Sequence, residues 1–209
     1  IYRVPLLLRD QGICEALEID CNATDLMTRW ELMADRVDNL GEDIHIAMVG
    51  KYTGLTDSYL SVIKSLQHAS FAVNRKLVID WIEASNLDDS SHSDWSVLKS
   101  ADGILVPGGF GDRGIEGKIL SANYARVNNV PYLGICLGLQ VATIEFCRNV
   151  LGMEGANSTE FDENTPNPAV VFMPEISKTH LGGTMRLGSR PTIFQVDDCM
   201  TRRLYGGHA

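Results

Sequence analysis

The chain has 209 residues, a formal net charge of −9, 44% hydrophobic residues and 22% charged residues. These are ordinary globular values for one large domain, or one domain with an appendage, and they exclude a disordered composition. The acidic balance and the lack of a basic patch argue against a nucleic-acid backbone as partner, and no apolar run reaches the roughly 18 residues of a membrane span.

Residues 1–40 read as a helical leader. Leu6-Leu7-Leu8 and the stretch from Asp25 to Leu40 (Leu26, Trp30, Met33, Val37, Leu40) have helix-like periodicity, with Thr24 or Asp25 as cap. The N-terminus lacks the apolar core and small-residue cleavage site of a signal peptide. From Ile44 the pattern changes. Ile44 to Val49 is a buried strand ended by Gly50, and Ser58 to Val73 is an amphipathic helix with Leu60, Ile63, Leu66 and Phe71 on one face. Leu77 to Ile82 is a second strand, Asn86 to Asp94 a polar loop, and Ala101 to Val106 a third strand ended by Pro107-Gly108-Gly109. Ile115 to Asn129 is helix, Pro131 to Ile135 a fourth strand, and Leu137 to Val150 helix with Leu139, Thr143, Phe146 and Val150 on its stripe. Strands alternating with helices predict an α/β fold: a doubly wound, mostly parallel, flavodoxin-like sheet with helices on both faces. After Leu151 the alternation stops. Asn157 to Pro168 reads as loop, and Ala169 to Met173 and Thr184 to Phe194 as strands of an antiparallel addition. The domain division is thus a leader over 1–40 and one α/β domain over 41–209.

The five cysteines are Cys14, Cys21, Cys136, Cys147 and Cys199. An odd count without CxxC or Cys/His ligand spacing implies neither a disulfide framework nor a metal site, and points to the reducing cytosol. Only Cys136 has a setting that calls for chemistry. Gly134-Ile135-Cys136-Leu137-Gly138 lies where an apolar strand turns directly into a helix, in the form of a nucleophile elbow with Cys in place of Ser. The flanking glycines relieve crowding in the strained turn. The helix N-terminus points free N–H groups and partial positive charge at the sulfur, which favours the thiolate. An isolated cysteine is more often a buried packing residue; the strand–elbow–helix context reverses those odds.

A second motif, Pro107-Gly108-Gly109-Phe110-Gly111-Asp112-Arg113-Gly114, also follows a strand and precedes a helix. In a parallel sheet it lies at the same carboxyl edge as Cys136, and its backbone N–H groups are candidates for an oxyanion hole. Gly109 to Gly114 also matches G-x-G-x-x-G, but in the third strand–helix unit and without the acidic residue that holds a ribose, so a dinucleotide site is disfavoured. Gly50-Lys51-Tyr52 lacks the rest of a phosphate-binding loop.

Together these motifs resemble a class I (triad-type) glutamine amidotransferase domain. Gly50-Lys51-Tyr52 with Asp57-Ser58-Tyr59, PGGFGDRG at 107–114, GICLGLQ at 134–140, Asn157-Ser158-Thr159-Glu160-Phe161 and GGTMRLG at 182–188 narrow the resemblance to the glutaminase domain of the CTP synthase family. Tyr2 to Leu8 is similar to that family's interdomain segment, so the resemblance covers essentially the whole chain. It implies that Cys136 attacks the glutamine side-chain amide, releases ammonia and forms a thioester that water hydrolyses. It implies Gly109 and Leu137 as oxyanion donors, and Gly109, Phe110, Leu137, Gly138, Leu139, Gln140 and Glu160 as the glutamine pocket, with Glu160 pairing the substrate ammonium. Arg113 is then a contact for GTP, the allosteric activator. The ammonia would go to an N-terminal synthase domain of the same chain, which uses ATP and Mg²⁺ to aminate UTP to CTP in the cytoplasm. The glutaminase part itself needs no metal or other cofactor, and a tetramer belongs to the full-length enzyme.

The sequence departs from the family at the base. The family supplies His and an acid from a C-terminal His-Pro-Glu segment, and this sequence has no His-Pro pair. His45 and His68 read as packing residues, His92 lies in the polar loop, and His180 and His208 lack a following Pro-Glu. The base and acid are therefore expected outside the given chain, with the domain incomplete at its C-terminus. Two other functions are compatible with a Cys elbow and a glycine-rich loop: a stand-alone Cys-elbow hydrolase of the γ-glutamyl hydrolase or DJ-1-like type, and a non-catalytic nucleotide-binding module.

Overall fold

Four short apolar runs form one parallel sheet in the computed structural model, which describes residues 24–51, 56–109, 111–172 and 193–206. The strands are β1 (Asp43–Gly50), β2 (Lys76–Glu83), β3 (Gly103–Val106) and β4 (Tyr132–Gly134), in the order β2-β1-β3-β4. Ile46 pairs with Ile79 on one side and Gly103 on the other, and Ile104 pairs with Tyr132. Each connection between successive strands carries a helix, as a parallel crossover requires. The helices are α1 (Thr24–Asp38), α2 (Leu60–Ala72), α3 (Asp94–Ser100), α4 (Ile115–Asn128) and α5 (Leu137–Asn149). Short 3-10 turns precede α2 (Thr56–Tyr59) and follow β2 (Ala84–Asp88).

Every residue of β3 is buried, as are Ala47 to Gly50 of β1. Side chains alternate across a strand, so a strand buried at all positions is covered on both faces. The result is the flavodoxin-like α/β architecture the alternation predicts. Ala47, Val49, Ile82, Ile104, Val106, Leu98, Ile119, Val141 and Ile144 join in one core cluster. Each fully buried aliphatic side chain of this kind contributes roughly 1.5–3 kcal/mol.

Several local readings need correction. On α5 the buried residues are Leu137, Gly138, Val141, Ile144 and Glu145, whereas Leu139, Phe146 and Val150 of the expected stripe face outward. Both sets repeat at helical spacing, and periodicity does not say which one meets the sheet. Leu60, expected on the apolar face of α2, is exposed for the same reason. The polar stretch from Asn86 contains the end of a 3-10 turn and the first residue of α3, a helix the sequence reading missed. Trp95 Nε1 donates to Leu87 O at 3.2 Å and Leu98 is fully buried, so α3 is held by packing rather than by propensity. Within the stretch read as loop, Asn157–Ser158 form β5, which pairs in parallel with β6 (Pro168–Val170); Ala169 and Val170 of β6 belong to the strand expected over Ala169 to Met173, while its expected partner over 184–192 lies outside the described residues.

Residues from Phe172 onward form a separate unit. Its described part holds α6 (Met200–Leu204), where Arg202 N donates to Cys199 Sγ at 3.4 Å. Of the strand expected over Thr184 to Phe194, residues 184–192 lie outside the described residues and Ile193 and Phe194 are irregular. Leu6 to Leu8 also lie outside them. Among the described residues no helix is long and apolar enough to cross a membrane.

Candidate active site

Cys136 sits between the end of β4 and the first residue of α5, with φ +55° and ψ −107°. A side chain at positive φ is strained, and such strain concentrates at functional turns. The neighbouring glycines show why the turn can close. A Cβ on Gly134 would lie 2.3 Å from Gly138 O, and one on Gly138 would lie 2.0 Å from Val106 O. No other residue allows strand, elbow and helix to approach so closely. Ile135 N donates to Val106 O at 2.9 Å, and the Tyr132 hydroxyl donates to Gly138 O at 2.9 Å. Burial, and then the charge of Glu145, pushes the Tyr132 phenol up, so it stays a donor.

The first turn of α5 leaves one amide over. Gly138 N bonds Ile135 O, and Leu139 N and Gln140 N bond Cys136 O. Leu137 N–H has no hydrogen-bond partner among the described residues. The glycine-rich loop after β3 lies directly against this turn. A Cβ on Gly108 would be 3.2 Å from Cys136 Cβ and 3.7 Å from its Sγ, and one on Gly109 would be 4.0 Å from Leu137 Cδ2. Gly109 N–H is likewise unpartnered among the described residues. Cys136 is an exposed free thiol. An accessible sulfur beside two unspent N–H donors is the arrangement that nucleophilic acyl chemistry uses.

Of the other expected site residues, Leu139 is exposed and Gln140 is partly buried on the same turn. Gln140 Oε1 is a buried acceptor without a partner among the described residues. Glu160 is exposed just after β5, where its backbone N donates to Ser158 Oγ at 3.2 Å. Both β5 and β6 pack against α5, which carries that segment to the helix that starts at Cys136. Arg113 donates from Nη2 to Glu83 Oε1 at 2.9 Å, with its side chain 56% exposed. Phe110 lies outside the described residues.

The described histidines are engaged elsewhere. His45 Nδ1 meets Asp80 Oδ2 at 2.9 Å, His92 Nδ1 accepts from Asp94 N at 3.2 Å, and His68 lines a cleft between α1 and α2. His180 and His208 lie outside the described residues. Among the described residues no group of three or more His, Cys, Asp or Glu could hold a metal ion.

Three features escaped the sequence reading. Gly108, rather than Gly109, is the glycine packed on Cys136. Lys51 and Lys118 are both buried, and Lys51 Nζ donates to Gly111 O of the glycine-rich loop at 3.1 Å. Glu145, buried on α5, accepts from Asn123, Arg126 and Asn149 and so ties α4 to α5. Lys51 had a signal in its position directly after a strand-ending glycine; Lys118 and Glu145 had none, since a charged residue on a helix is usually solvated.

The family model described as Glutamine amidotransferase class-I matches residues 54–208. Among curated proteins, the chain is 54% identical to a CTP synthase of Dictyostelium discoideum, over 98% of this chain and 41% of that protein. It is 49% identical to CTP synthase 1 of Homo sapiens, over 99% of this chain and 37% of that protein. The chain thus spans about two fifths of the length of the curated relatives it matches. A solved structure, the Trypanosoma brucei CTPS glutaminase domain with bound acivicin, superposes with a TM-score of 0.60 at 41% identity, covering 65% of this chain and 53% of that one.

Proposed function

The chain belongs to the class-I glutamine amidotransferase family, and from that premise we propose that it hydrolyses glutamine and supplies ammonia for the amination of UTP to CTP. One observation carries the reading: an exposed Cys136 at φ +55°, packed on Gly108 and flanked by the Gly109 and Leu137 amides, which have no partner among the described residues. In the proposed step Cys136 Sγ attacks the side-chain amide carbon of glutamine. The amide oxygen becomes an oxyanion that the Gly109 and Leu137 N–H groups receive. Collapse expels ammonia, which takes up a proton as it leaves, and water cleaves the resulting thioester to glutamate. None of the described histidines is positioned as the base, so that role falls to a residue outside the described ones.

Gly109, Phe110, Leu137, Gly138, Leu139, Gln140 and Glu160 form the proposed glutamine pocket. The exposed Glu160 carboxylate, on a segment that packs against α5, supports it, because an anion suits an α-ammonium group. Arg113, on the same loop as Gly109, is the proposed contact for GTP. ATP and Mg²⁺ serve the amination in a synthase domain, and a cytoplasmic setting keeps the Cys136 thiol reduced. The family match favours this reading over a stand-alone hydrolase or a non-catalytic nucleotide module.

The test uses 6-diazo-5-oxo-norleucine, a glutamine-like electrophile, with mapping of the adduct by mass spectrometry. Labelling of Cys136 that glutamine blocks is expected. Equal labelling of Cys147, or labelling that glutamine leaves untouched, would sink the proposal.

A further inference from the structure

Lys51 follows the last residue of β1 and is 7% exposed. It is held at both ends. Its carbonyl accepts from the Tyr59 hydroxyl at 2.6 Å, and its ammonium donates to Gly111 O at 3.1 Å. Tyr59 is itself buried, with its ring 5.8 Å from that of Trp81. Gly111 has φ +79°, and a Cβ there would lie 3.4 Å from Lys51 Nζ, so the loop and the ammonium are in contact. Two and three residues earlier, the same loop carries the Gly109 N–H, unpartnered among the described residues, and the Gly108 that packs on Cys136.

A buried ammonium is a costly way to fill space. Withdrawing it from water costs several kcal/mol, and an apolar side chain of similar length would pack there more cheaply. A second ammonium, Lys118 in the first turns of α4, is buried to 1% exposure and repels the first. Stability alone favours neither. A fixed donor does serve a loop whose backbone must be held in one orientation, since this loop has glycines at 108, 109 and 111 and little torsional restraint of its own.

We infer that Lys51 is a positioning residue: anchored at the end of β1, its ammonium grips Gly111 O and so holds the Gly108–Gly111 loop, with its Gly109 N–H, against Cys136. The inference rests on the amidotransferase reading for the purpose of that N–H, and on the geometry for the grip itself. Lys51 acts through the loop, as preorganised donors require.

The test compares wild type, Lys51→Met and Lys51→Arg in the intact chain. Amide hydrogen exchange over 108–114 reads the grip. Inactivation by 6-diazo-5-oxo-norleucine reads the oxyanion site, because the ketone oxygen occupies the position of the amide oxygen. Iodoacetamide alkylation of Cys136, which needs no oxyanion donor, reads thiol access. Lys51→Met is expected to speed exchange locally over 108–114. It should also lower kinact by about 10- to 100-fold with KI changed less than about 2-fold, the size of loss seen when one oxyanion donor is misplaced. Iodoacetamide alkylation should stay nearly constant, and Lys51→Arg, which keeps a donor at similar reach, should recover most of kinact. Unchanged exchange over 108–114 in Lys51→Met would overturn the inference, as would faster exchange spread over the whole chain with no excess in the loop. If the wild type is not labelled at Cys136 at all, the amidotransferase reading falls, while the exchange comparison still decides whether Lys51 grips the loop.

Discussion

Cys136 and Lys118 show two kinds of cost carried by single residues. Cys136 holds a positive φ that glycine adopts freely and a residue with a Cβ adopts only at a cost. Cys136→Gly is therefore expected to abolish electrophile labelling at this site while raising stability by about 1 kcal/mol in chemical denaturation, the usual size of such strain. A loss of stability would show that the turn is not strained. The ammonium of Lys118 is pushed down to about 8 from 10.5, first by burial and then by the Lys51 charge, with Glu83 pulling the other way. Below about pH 8 both folded and unfolded chains carry this proton, so the whole cost of burying the charge is present. Between about 8 and 10.5 the folded chain gives it up first, and stability rises with pH. Lys118→Met is expected to stabilise the protein at pH 7 by on the order of 2–3 kcal/mol, and melting curves of the two proteins should converge as pH approaches 10.5. A gap independent of pH would assign the gain to packing instead. Cys136 was legible in the sequence because its motif is local. Lys118 was not, because only the fold brings Lys51 and Glu83 to it.

At the scale of elements, the helices flanking the site are fixed by close approach and by one carboxylate. A Cβ on Gly117 of α4 would lie 1.8 Å from Ala84 O, inside the 3-10 turn after β2. Gly117→Ala is expected to cost more than about 3 kcal/mol or to yield no folded protein, because the obstructing atom is backbone. Unfolding within 1 kcal/mol of wild type, by roughly the scatter of surface substitutions, would mean that the α4 contact yields easily. On α5, burial raises the Glu145 carboxyl, but hydrogen bonds from Arg126, Asn123 and Asn149 outweigh it and hold the group below its ordinary range. Its contribution is thus present above the unfolded value of 4.5 and is lost as pH falls through the lower folded value. Glu145→Ala leaves three donors without their acceptor and is expected to cost about 2–3 kcal/mol at pH 7, with the difference shrinking in acid. The sequence placed α4 and α5 within a residue of their ends, since Gly114, Asn129 and Cys136 bound them sharply. It chose the wrong face of α5, because Leu139, Phe146 and Val150 repeat as regularly as Leu137, Val141 and Ile144.

Across the whole molecule, burial concentrates in the middle of the sheet. Ala47 to Val49 and Ile104 to Val106 are almost completely buried, while no residue of α6 is. Native-state hydrogen exchange is expected to be slowest in β1 and β3 and fastest in Met200 to Leu204, since protection follows burial and packing. Comparable protection in α6 and β3 would contradict this order. The alternation of apolar strands and amphipathic helices determined the fold class from the sequence, because the periods of 2 and 3.6 are properties of the local chain. The strained strand–turn–helix joint at Gly134 to Gly138 was legible in the same way, from five consecutive residues. What only the tertiary structure decided are relations between segments far apart in sequence: Gly108 against Cys136, Lys51 on Gly111, Glu145 between α4 and α5. The physical reason is that these contacts depend on how the crossovers bring strand ends and helix faces together, and no local period encodes that distance.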